Sequence, residues 1–74
     1  MKKTINVGNY YTEARLQEVK EALEQGYTVR IYVDCIGHSR TEQVEWEFRE
    51  ELQKEYKDKL VCKRDFADEY SLLV

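Results

Sequence analysis

The sequence predicts a small two-layer α/β domain of βαβαβ(β) order. A mainly parallel sheet carries both helices on one face, with a short antiparallel strand at the C-terminus. Three observations lead there. Segments with an apolar residue at every second position alternate with segments apolar every three or four, which is the order of parallel strands joined by helical crossovers. The middle strand is amphipathic, so helices are expected on only one side of the sheet. The 74 residues contain no proline, linker or repeat, so residues 1–74 read as one domain with one core.

In the first strand Ile5 and Val7 alternate with Thr4 and Asn6, and the strand ends at Gly8-Asn9. Thr12 is placed to cap the first helix, and Glu13 just inside it suits the helix dipole. Leu16, Val19, Ala22 and Leu23 form its apolar stripe, and Gly26 closes it in a left-handed conformation. The second strand begins near Thr28, with Val29, Ile31, Val33 and Cys35 inward and Arg30, Tyr32 and Asp34 outward.

Ser39-Arg40-Thr41-Glu42 has the spacing of a capping box, predicting a second helix from Thr41 to about Lys57 with Ser39 as its cap. Val44, Phe48, Leu52 and Tyr56 form its buried stripe. Trp46 lies two residues, roughly 200°, round from Val44 and falls outside that stripe. Leu60, Val61 and Cys62 open a third strand that ends around Asp65. The apolar tail Tyr70–Val74 is read as a fourth strand beside the third. A short helix capped by Asp65, packing Phe66, Tyr70 and Leu73, is the alternative.

Bulk composition narrows the function classes. A formal net charge of -3 with lysine and glutamate mixed argues against nucleic acid as a partner, and equally against a dense acidic mimic of it. No run is long or apolar enough for a membrane span, so no membrane partner is expected. Two cysteines without a secretory signal read as reduced thiols in a cytoplasmic protein.

In a parallel sheet the loops after the first two strands share one edge. That edge gathers Asn9, Tyr10 and Tyr11 with Asp34, His38, Ser39 and Arg40, and Asp65 joins from the third strand. Polar groups, one arginine and helix N-termini make this the candidate site for a small anion or a nucleotide, with Asn9, Asp34, His38, Ser39 and Arg40 as ligand-binding residues. The loop has one glycine and fits neither the dinucleotide fingerprint nor a phosphate loop, so no cofactor is expected. Cys35 and His38, with Asp34 or Asp65, could imitate a nucleophile and base, but Cys35 belongs to the inward set of its strand. No catalytic role and no metal follow. Asp34 and Asp65, the only magnesium candidates, read as solvated strand ends.

A tryptophan outside the stripe needs cover, either from Tyr10 or Tyr11 of the neighbouring loop packing over it or from a macromolecular partner. Tryptophan and tyrosine concentrate at interface hot spots because they offer a large, stiff, amphipathic surface. The expected function is thus that of a small non-catalytic regulator, inhibitor or accessory subunit, of a composition met among phage accessory proteins. It would bind a protein, or a second copy of itself, through Trp46, Tyr10, Tyr11, Arg30 and Tyr32. The alternative is the small-ligand site at the loop edge.

Overall fold

The computed structural model describes residues 1–34, 38–64 and 67–73. They form a small α/β domain with two helices and a four-stranded mixed sheet. In chain order the elements are β1 (Lys2–Asn6), α1 (Glu13–Glu24), β2 (Thr28–Tyr32), α2 (His38–Tyr56), a single 3₁₀ turn (Lys57–Lys59), β3 (Leu60–Arg64) and β4 (Asp68–Leu72). The sheet order is β1-β2-β4-β3. β1 and β2 pair in parallel, Ile5 opposite Ile31. β4 runs antiparallel to both neighbours, with Tyr70 opposite Val29 on one side and Cys62 on the other.

The expected mainly parallel sheet is therefore corrected to a mixed one. The tail is a strand rather than a helix and does lie beside β3, but it also wedges between β3 and β2. Its burial fits a central seat, since Asp68 and Tyr70 share one buried face and Glu69 and Ser71 on the other face are half-buried.

α1 follows its local signals. The Thr12 hydroxyl accepts a hydrogen bond from the Arg15 amide at 3.2 Å, capping the helix. At the far end Tyr27 N–H donates to Ala22 O (3.1 Å) and Gly26 N–H to Leu23 O (3.0 Å), a Schellman closure with Gly26 at φ +93°. Leu16, Val19, Ala22 and Leu23 are all buried.

β2 is shorter than expected. Val29 and Ile31 are buried while Arg30 and Tyr32 are exposed. Val33 lies beyond the strand, half-buried against the core, and Asp34 is exposed. Cys35 lies outside the described residues. The Val7 N–H donates to Tyr32 O at 2.9 Å, carrying the parallel ladder one step past β1.

α2 starts at His38, earlier than Thr41, which places Ser39 in the first turn instead of at the cap. A serine three residues before a glutamate fits the first turn as well as the position before it, so the spacing alone misplaced the start. Val44, Phe48 and Leu52 are buried on this helix, and Tyr56 is half-buried with its hydroxyl donating to Lys20 O on α1 at 3.4 Å. One core unites these residues with Ile5, Val7, Val29, Ile31 and Tyr70. Cys62 is a half-buried free thiol packed against it. Burial, then the charge of Asp68, pushes this thiol up, against the pull of Arg49 and Arg64.

Candidate functional site

The outward side of α2 carries the most unusual surface side chain. Trp46 is 56% exposed, although tryptophan is generally well covered in folded chains. Helical geometry accounts for it, since the residues that face the core are Val44, Phe48 and Leu52. Trp46 forms a ridge between two hollows. One, of about 210 Å³, is lined by Tyr11 and Trp46 together with Glu47, Glu50 and Glu51. The other, wider at about 570 Å³, runs past Glu42 and Gln43 to Arg49 and Arg64.

The second hollow ends on a buried polar cluster that sequence reasoning missed. Asp68 is 1% exposed at the start of β4. Its Oδ2 accepts from Arg49 Nη2 (2.8 Å) and from the Tyr70 hydroxyl (2.9 Å), and its Oδ1 faces Arg64 Nε at 3.3 Å. Burial opposes charging Arg49, but the hydrogen bond and negative charge of Asp68 outweigh it and raise the guanidinium above its ordinary value. Burial, and then Asp68, also raises the Tyr70 hydroxyl well above the usual phenol range. Glu45 sits close by, its carboxyl raised first by burial and then by Asp68. The cluster pins α2 onto β4. A readable signal existed in the period-two set Asp68, Tyr70 and Leu72, but a charged residue on a buried face runs against the usual reading.

Of the residues expected to meet a partner, Trp46, Tyr10 and Tyr11 lie on one continuous surface. Tyr11 borders both the Trp46 hollow and a third hollow of about 290 Å³ that Tyr10 lines. Tyr10 is 66% exposed, with the Arg40 guanidinium 5.4 Å from its ring centre. Tyr11 is half core. Its ring meets Phe48 edge-on at 4.9 Å between centroids, so it supports the surface more than it projects from it. Arg30 and Tyr32 do not join this group. They alternate with buried Val29 and Ile31 and so lie on the opposite face of the sheet.

The expected anion site is gathered only in part. Asn9 and Arg40 line the third hollow, yet Glu47 lines it too and sets a carboxylate against an anion. Asp34 is exposed and stands apart from that hollow. The side chains of His38 and Ser39, and all of Asp65, lie outside the described residues. Among the described residues no group of three or more His, Cys, Asp or Glu side chains could hold a metal ion, and no helix is long and apolar enough to cross a membrane.

Compared with family models, curated proteins and solved structures, the chain matches none. The functional reading therefore rests on the chain's own surface.

Proposed function

We propose that this protein is a small, non-catalytic cytoplasmic binding module whose partner protein docks on the outer face of α2, centred on Trp46. In this reading the fold is the two-layer arrangement. Both helices cover one face of the sheet, which leaves α2 as a stiff platform for the contact. The observation that carries it is the 56% exposure of Trp46 on a well-packed helix, flanked by hollows on both sides. Such a side chain has little reason to stay in water, and much to gain from a partner that covers it. The alternation of buried and exposed residues in β2, and over Ile5, Asn6 and Val7 at the end of β1, supports the two-layer arrangement.

The ligand reading keeps one specific observation, the joint placement of Asn9 and Arg40 near the start of α2. One experiment separates the two. Wild-type protein and the Trp46→Ala variant serve in parallel as baits, and each captured protein is titrated again as a purified component. The partner reading expects affinity to fall by about 2 kcal/mol or more, roughly thirtyfold, in the variant. Capture indifferent to Trp46, together with thermal stabilisation by phosphate or a nucleotide, would transfer the function to the loop edge.

A further inference from the structure

We propose that the hollow between Tyr11 and Trp46 receives an arginine or lysine side chain from a basic segment of the partner. This deepens the proposed function and rests on the α2 face being the docking surface.

The hollow is concave, and its size suits one long side chain rather than a folded element. Its two walls are aromatic. Trp46 is largely in solvent, while Tyr11 packs one edge against Phe48 and keeps part of its ring at the surface, so it makes a fixed wall. The remaining lining is acidic. Glu47, Glu50 and Glu51 are each half-buried, which partly removes them from water and strengthens their pull on a cation.

The chain neutralises this lining only in part. Lys54 Nζ lies 3.6 Å from both Glu50 and Glu51, so three carboxylates meet one ammonium and two negative charges remain. Glu47 has no ion-pair partner among the described residues and stands between Tyr11 and Trp46. The Tyr11 hydroxyl registers the same field, raised by burial and then by Glu51, Glu13 and Glu47. A cation with an apolar stem satisfies all of these features together. The stem covers the rings, the charged head sits over a ring face, and Glu47 accepts its hydrogen bond. An acidic or purely apolar segment would leave Glu47 buried without a partner, at a cost.

Trp46 is the sole tryptophan, so its fluorescence reports directly on the hollow. The test titrates three peptides of equal length and apolar content, one arginine-rich, one neutral and one glutamate-rich. The expected result is that only the arginine-rich peptide perturbs Trp46. Glu47→Gln should weaken it about tenfold or more, Glu47→Asp less, and added salt should weaken it further. Each variant must first melt like the wild type. Equal binding of the neutral or acidic peptide, indifference to Glu47→Gln in a folded variant, or no binding by any peptide would overturn the proposal. A neutral peptide whose binding is lost on Trp46→Ala would remove the cation while leaving the docking surface intact. Failure of the surface itself shows separately, as capture of purified partners that ignores Trp46→Ala.

Discussion

Replacing Asp68 with alanine should be the most damaging single change described here. The carboxylate holds Arg49 at 2.8 Å and the Tyr70 hydroxyl at 2.9 Å on one oxygen, and Arg64 at 3.3 Å on the other. The Arg64 side chain is 58% exposed, so its share is small. The Arg49 side chain is only 17% exposed, and its Nε is already buried without a hydrogen-bond partner. Losing Asp68 would strand that guanidinium and the Tyr70 hydroxyl together. Breaking a buried pair in this way costs about 3 to 5 kcal/mol, and water reaching the exposed part of Arg49 keeps the figure toward the lower end. A domain of this length has a total stability of roughly 4 to 11 kcal/mol, so the variant should lose a quarter of it or more. Urea denaturation followed by circular dichroism measures the loss. The triple variant Arg49→Met, Asp68→Leu, Tyr70→Phe removes the three covered members of the cluster, leaves only the largely exposed Arg64, and should recover most of the stability. A loss under about 1 kcal/mol for Asp68→Ala, or a triple variant as unstable as the single one, would refute the reasoning.

Two further outcomes follow from the same structure. The folded Glu45 carboxyl is raised above its ordinary 4.5, so its contribution is fully present below that value and is lost as pH rises through the folded value. Glu45→Gln should therefore be more stable than wild type at neutral pH, with the gap closing on acidification; a gap that widens in acid would reverse the assignment. Gly26→Ala should cost about 1 kcal/mol or more in a thermal melt. An added Cβ there meets nothing within 4 Å, so the cost is that of φ +93° alone, and an unchanged melting temperature would contradict it.

How much of this was legible depended on whether the signal was local. α1 could be read from end to end because Thr12 and Gly26 mark its limits and four apolar residues fix its inner face. The position of Trp46 off the buried stripe was equally legible, since helical angle separates it from Val44 and Phe48, but whether Tyr10 or Tyr11 packs over it was not, because that depends on how a separate loop folds back. The start of α2 was not, because the Ser39–Glu42 spacing fits two adjacent positions. Nor was the seat of β4. Its neighbours are chosen by pairing with distant segments, and the contact that anchors it joins Arg49 to Asp68, two residues that in isolation look solvated. The site divided on the same line. Neighbouring Tyr10 and Tyr11 look alike in sequence, and only the turn of the backbone sends one to solvent and the other onto Phe48. Arg30 and Tyr32 were correctly read as outward-facing, but sheet alternation sets them on the side away from buried Val29 and Ile31, which the sequence could not relate to Trp46.

The central claim is that Trp46 stands in water until a partner covers it, and its fluorescence as the sole tryptophan tests this most directly. In the isolated protein its emission should resemble that of tryptophan in water and be readily quenched by acrylamide. Once a captured partner is added back in purified form, emission should shift to the blue and quenching should fall. Trp46→Ala should meanwhile leave the unfolding free energy within about 1 kcal/mol of wild type, well short of the 3 to 5 kcal/mol lost with a buried tryptophan. Emission already blue-shifted and shielded in the free protein, or unchanged in the complex, would contradict the account.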